Sequence, residues 1–253
     1  MGNPGREFSM NVRSYRKIHR YLGLFVGVQL LLWTAGGLFF SLNSIEKVRG
    51  ETEASEPPFL QLTVPPVSPA PALAELTARR PGMEVRSVTL RPHLGDGVYE
   101  IAYDDGGRSR WVLADTLTGR LRSPITEDEA IAIARADFVL DAPVADVALI
   151  TEVGSADEYR GRPLPAYRVS FDHPLDTRLY VSVERGVVTA RRNDRWRWFD
   201  LFWMLHVMDY QDRDDFNTWW LQVAATLGVV TILSGFTLAA LTSPRLRRLF
   251  DRQ

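Results

Sequence analysis

Four histidines carry most of the ligand chemistry open to this chain: His19, His93, His173 and His206. Imidazole is a ligand for zinc, copper, nickel and iron. The chain has no cysteine, which removes disulfides, thiolate zinc sites, iron–sulfur clusters, covalent haem attachment and a cysteine nucleophile. His93 falls at a turn, and His173 follows Asp172. With Asp104, Asp105, Asp172 and Asp176 they would make at most a weak imidazole–carboxylate site, and Asp beside Gly and Pro is ordinary turn chemistry. We read both as turn residues and expect no metal site. There is no Gly-x-Ser-x-Gly elbow, no His-Glu-x-x-His, no phosphate loop and no dinucleotide fingerprint. Glu127, Asp128 and Glu129 open a helix, where acidic residues favour the dipole. The chain is expected to have no catalytic activity alone.

His19 and His206 stand beside two uncharged apolar stretches, 21–45 and 216–244. Each exceeds the roughly 20 residues a helix needs to cross a bilayer core. Arg6, Arg13, Arg16, Lys17 and Arg20 precede the first; Arg245, Arg247, Arg248 and Arg252 follow the second. By the positive-inside rule both ends, 1–20 and 245–253, are cytoplasmic, and the long loop is translocated. This predicts a bacterial inner-membrane protein with a periplasmic central domain. The alternative for the first stretch is a cleaved signal peptide. Its apolar run is long for one, and Ser41-Leu42-Asn43 is a poor cleavage site, so an uncleaved anchor is expected. The net charge of -1 and hydrophobic fraction of 45% average over two apolar helices and a charged loop. That balance gives no reason to expect nucleic acid.

The loop opens with a proline-rich linker, 46–71, containing Pro57, Pro58, Pro65, Pro66, Pro69 and Pro71. Such density favours an extended spacer. A helix over 72–80 is stopped by Pro81-Gly82, and strands follow over 85–90, 98–103 and 110–114. Thr126 with Glu129 forms a capping box for a second helix. Strands over 144–152, 166–172 and 178–183 come after it. Tyr99-Glu100-Ile101-Ala102-Tyr103-Asp104 matches Tyr167-Arg168-Val169-Ser170-Phe171-Asp172, and Arg110 falls on Arg178, an offset of about 68 residues. We read duplicated α+β units over 72–125 and 126–193.

The densest aromatic run, with Trp196, Trp198 and Trp203, predicts an interfacial anchor helix over 194–210. Within the spans, Gly23, Gly27, Gly36, Gly37, Gly228 and Gly235 offer close backbone approach. They predict packing of the spans on each other, on a protein partner or in a homo-oligomer within the lipid bilayer. Gln29 and Thr34 are the polar side chains deep in the first span, available to bond across that interface. No charged residue lies in either span, which argues against a proton relay or ion pathway.

One helix and a small antiparallel sheet, twice over, between basic-flanked spans resembles the PepSY-associated transmembrane proteins. Lys17-Ile18-His19-Arg20-Tyr21-Leu22-Gly23-Leu24 resembles that family's step into a membrane helix. Leu205-His206 and Ser234-Gly235 resemble its other marks. The resemblance implies an α+β domain of two PepSY-like repeats between two transmembrane helices. It also implies either modulation of proteases or a part in iron and siderophore handling, with haem held by membrane histidines in some relatives. Larger relatives have four or more spans. For haem b here, His19 and His206 are the candidate ligands, but they lie at opposite ends of a core about 30 Å thick. One protomer cannot place both on one haem. A dimer, a partner subunit, or Met204 or Met208 would have to supply the second ligand. Three functions remain open at this point: a non-catalytic accessory or redox-associated component, a membrane-anchored protease regulator, and a haem-binding electron-transfer subunit acting as an oligomer.

Overall fold

The computed structural model describes residues 12–62, 64–122 and 124–243. The basic residue Arg6, most of the 1–20 segment, Pro244 and the 245–253 tail therefore lie outside the described residues. Along the chain run α1 (Val12–Leu42), α2 (Ile45–Val48), a 3-10 turn at Glu51–Glu53, and α3 (Ala70–Arg79). Strands β1 (Glu84–His93), β2 (Asp96–Asp105) and β3 (Arg108–Asp115) follow, then α4 (Glu127–Asp137). Next come β4 (Val144–Ile150), β5 (Ala166–Phe171), β6 (Arg178–Ser182) and β7 (Val188–Arg192). Helices α5 (Asp194–Val207) and α6 (Trp219–Thr242) close the described chain. The fold is α+β, with an apolar helix towards each end and two small antiparallel sheets between. Two compact units result: α1 with Phe199 onward, and Asn43–Trp198.

In the first unit, α1 has 31 residues and α6 has 24. At 1.5 Å per residue they span about 46 Å and about 36 Å, each enough for a bilayer core of about 30 Å. Only 11% of the most apolar stretch of each is buried within the protein. Phe25 is 76% exposed and Phe236 69%, which suits lipid as solvent and not a soluble core. The two helices pair antiparallel, Gly23 opposite Thr231 and Gly228 opposite Leu30. Helix α1 starts before residue 21 because the Arg- and Lys-rich segment is itself good helix-forming sequence. Helix α6 starts at Trp219 because Thr218 caps it, its hydroxyl accepting from the Leu221 N–H at 3.3 Å.

In the second unit, α3 lays Ala72 and Leu76 on one sheet, of order β1-β2-β3, against Tyr99, Ile101, Tyr103 and Ala114. Helix α4 lays Ala130 and Ala134 on the other, of order β4-β5-β6-β7, against Phe138, Val169, Phe171, Leu179 and Val181. The Thr126–Glu129 capping box forms as the spacing predicts. Gly106-Gly107, both at positive φ, make the tight β2–β3 hairpin turn.

The same local contacts recur in both halves of this unit. The Val67 N–H donates to Thr116 O at 2.9 Å just before α3, and the Ile125 N–H donates to Val183 O at 3.2 Å just before α4. The turn after β3 carries Gly119 (φ +68), where a Cβ would meet Val67 Cγ2 at 3.2 Å; the turn after β6 carries Gly186 (φ +58), where one would meet Ile125 Cγ2 at 3.1 Å. Beyond Gly119 the chain returns to the first sheet through an isolated bridge, Ala114 with Leu121.

The proline-rich 46–71 segment touches the rest of this unit at several points. Val48 is 1% exposed, the Ser55 N–H donates to Asp137 O at 2.7 Å, and Tyr99 OH donates to Val67 O at 2.7 Å.

Candidate functional site

The first unit brings together the marks singled out around the membrane histidines. His19 Nδ1 lies 2.6 Å from Ser234 Oγ. That hydroxyl has one proton and donates it to Thr231 O at 2.7 Å. Gly235 leaves room for the ring: a Cβ there would meet His19 Cε1 at 3.3 Å. His19 is thus a hydrogen-bonded packing residue between α1 and α6.

His206 is exposed at the end of α5, with its ring 6.0 Å from Trp33, 6.4 Å from Phe40 and 6.4 Å from Trp203. The last carbonyls of any helix lack intrahelical donors. Here α1 supplies them. Gln29 Nε2 donates to Leu205 O at 2.9 Å, and Trp33 Nε1 donates to His206 O at 3.0 Å. Thr218 Oγ1 donates to Val207 O at 3.3 Å. Gln29 therefore bonds to α5 rather than to the other span, and Thr34 bonds back to Leu30 O within its own helix. Phe39 and Phe40 pack on Phe202 and Phe199, with centroids 5.1 and 4.7 Å apart, which fastens the later half of α5 along α1.

Trp33 lies fourteen positions beyond His19 on α1, a rise of about 21 Å. His19 and His206 are held at these separate levels, so the two imidazoles of one protomer do not fit a single six-coordinate haem. Of the small residues, Gly23, Gly36, Gly228 and Gly235 each face a neighbouring helix, whereas a Cβ at Gly27 or Gly37 would meet nothing within 4 Å. Of the tryptophans, Trp198 is 55% exposed, while Trp203 Nε1 donates to Arg213 O at 3.0 Å. Trp196 has a different setting, beneath Arg192. Trp219 and Trp220, stacked at 3.5 Å and both exposed, open α6 and form an aromatic pair that the sequence reading did not single out.

The loop between α5 and α6 is organised by Asp209. Its carboxylate accepts the backbone N–H groups of Gln211, Asp212, Asp214 and Asp215 at 3.1 to 3.3 Å. These bonds, that from Asp215 foremost, hold its carboxyl below the usual range. Arg213 turns back to pair with Asp200.

In the second unit, His93 is 7% exposed and lines a cleft of about 390 Å³ with Leu62, Thr116, Arg122 and Glu129. Burial first, then the charges of Arg122 and Arg91, push its imidazole below the ordinary value. Arg122 is paired with Glu129. His173 Nδ1 lies 3.2 Å from Thr177 Oγ1, Asp104 pairs with Arg86, and Asp176 with Arg178. The loop histidines and aspartates are thus spread over separate turns, and among the described residues no cluster of three metal-ligating side chains forms.

No family model matches the chain, and no curated protein or solved structure matches it.

Proposed function

We propose that this chain is a two-span protein of the bacterial inner membrane whose central domain is a pair of PepSY-like repeats acting as a non-catalytic accessory module. The recurring Val67–Thr116 and Ile125–Val183 bonds support the duplication, and the resemblance supplies the family and its iron- and siderophore-handling setting. The observation that carries a docking role is the strip 57–62. Phe59 is 89% exposed, with Leu60 and Leu62 at 39% and 40%. The strip is pinned on one side through Ser55 and on the other through Val67. Pro57-Pro58 favours an extended backbone. Ordering entropy is thus largely settled before a partner arrives, which favours binding. Phe59, held out this way on a chain tied at both ends, suits a partner that takes an extended segment into a groove, while Leu62 packs against Gly97.

The same geometry favours a second reading, control of an envelope protease whose cleft accepts such a segment. Full-length protein recovered in mild detergent is expected to hold a stoichiometric partner. A Phe59→Asp, Leu60→Asp variant of equal membrane abundance and equal melting temperature should lose it. A partner from iron uptake supports the accessory reading, and a protease inhibited at stoichiometric concentration supports the second. Recovery of the wild-type chain alone, with a panel of envelope proteases indifferent to it, overturns both.

A further inference from the structure

The cleft beside His93 has a polar lining that the fold itself leaves unanswered. Its walls come from the end of the β1–β2 hairpin, the turn after β3 and the first turn of α4. His93 stands opposite Asp96 in the register of that hairpin, and Val98 stands opposite Asp115 in the next. His93 is 7% exposed, and its Nε2 is buried with no hydrogen-bond partner. A buried polar atom left unpaired costs free energy until a donor or acceptor reaches it.

The charges of the cleft do not cancel. Among the described lining residues Arg122 is the one cation, and it is paired with Glu129 at 2.5 Å. Two carboxylates remain. Asp96 is exposed, and no described hydrogen bond or ion pair engages its side chain. Asp115 accepts the Leu117 N–H, the Thr118 N–H and the Thr118 hydroxyl, all at Oδ1, which leaves Oδ2 open. Leu62, Leu94 and Leu117 add apolar wall, and the volume of about 390 Å³ lies within the range of small-molecule sites. An anion here would meet two unpaired carboxylates. An ammonium group carries positive charge and three donors with no acceptor, so it can serve both carboxylates and a neutral imidazole nitrogen.

We propose that this cleft binds a small primary amine with an apolar body, its ammonium held by Asp96, Asp115 and His93 and its body against Leu62, Leu94 and Leu117. The site does not depend on the accessory role, because Phe59 and Leu60 take no part in it.

The test uses the full chain in neutral detergent at about 0.15 M salt, where screening over about 8 Å suppresses diffuse attraction. Phenethylamine is titrated by calorimetry beside two probes of similar shape, neutral phenethyl alcohol and anionic phenylpropionate, and the His93 imidazole is followed by nitrogen NMR. The amine should bind at least about tenfold tighter than either and shift the His93 resonances. Asp96→Asn, Asp115→Asn keeps an oxygen at position 115 for its turn and should weaken amine binding at least about tenfold. Glu127→Gln, Asp128→Asn removes the same charge from exposed positions outside the cleft and should bind as wild type does. If the cleft variant melts early, Asp96→Asn alone, at an exposed turn, decides. Amine selectivity lost in the cleft variant and kept in the control assigns the site. Equal binding of the alcohol, unmoved His93 resonances, unchanged binding in the folded cleft variant, equal loss in both variants, or no saturable binding up to about 10 mM overturns the proposal.

Discussion

His93 shows how a single side chain can look like a ligand in sequence and serve the fold in structure. It sits against Gly186, where a Cβ would meet its Cε1 at 2.8 Å. Burial and the charges of Arg122 and Arg91 depress its protonation, opposed by Glu129 and a bond with the Gly186 backbone. Because the folded imidazole protonates less readily than the unfolded one, the unfolded state takes up more protons as pH falls below about 6.5. The stability His93 contributes is thus complete above that value and is lost as pH drops towards the lower folded value. Thermal unfolding at pH 7.5 and 5.5 should show a larger fall in midpoint for the wild type than for His93→Gln. Equal falls would mean that His93 is not buried neutral.

At the scale of elements, α5 joins the two units in sequence, and its last turn depends on polar groups from α1. Replacing Gln29 by Leu keeps the span apolar and similar in bulk but leaves Leu205 O without its donor. In lipid such a bond contributes on the order of 1 kcal/mol. Gln29→Leu should therefore lower the unfolding midpoint of the detergent-solubilised protein and speed backbone hydrogen exchange near the end of α5, while α3 and α4 exchange as before. Unchanged exchange in α5 would show that Trp33 and Thr218 suffice. Why this was not legible in the sequence is physical. The α4 capping box is a local device, read from Thr126 and Glu129 three residues apart. The hairpin turns were legible because Gly106-Gly107 supplies positive φ. The partner of Gln29 lies 176 residues away, beyond any periodicity, and a polar residue in a span offers no sign of which helix it meets. His19 and Ser234 could be picked out only as resembling a family pattern; that they touch needed the antiparallel pairing of α1 and α6.

At the scale of the whole molecule, everything functional turns on which side of the membrane each part occupies. Two helices long and apolar enough to cross a bilayer flank a unit with its own buried cores around Val169 and Ile101. In the proposed topology an even number of crossings puts both ends on one side, and the positive-inside rule predicts that side to be the cytoplasm. The chain has no cysteine, so single cysteines can report topology against a silent background. Leu117, 61% exposed, and Phe59, 89% exposed, serve for the central unit, and Ser9 and Gln253 for the ends. In intact cells with a permeable outer membrane, a membrane-impermeant maleimide should label Leu117→Cys and Phe59→Cys at once. Ser9→Cys and Gln253→Cys should react only after the inner membrane is opened. Labelling of the ends in intact cells would invert the topology and remove the envelope partners from reach of strip 57–62. Loss of the Ser9→Cys tag from the mature protein would show instead that the first apolar helix is cleaved, leaving one anchor and no α1 to hold α5.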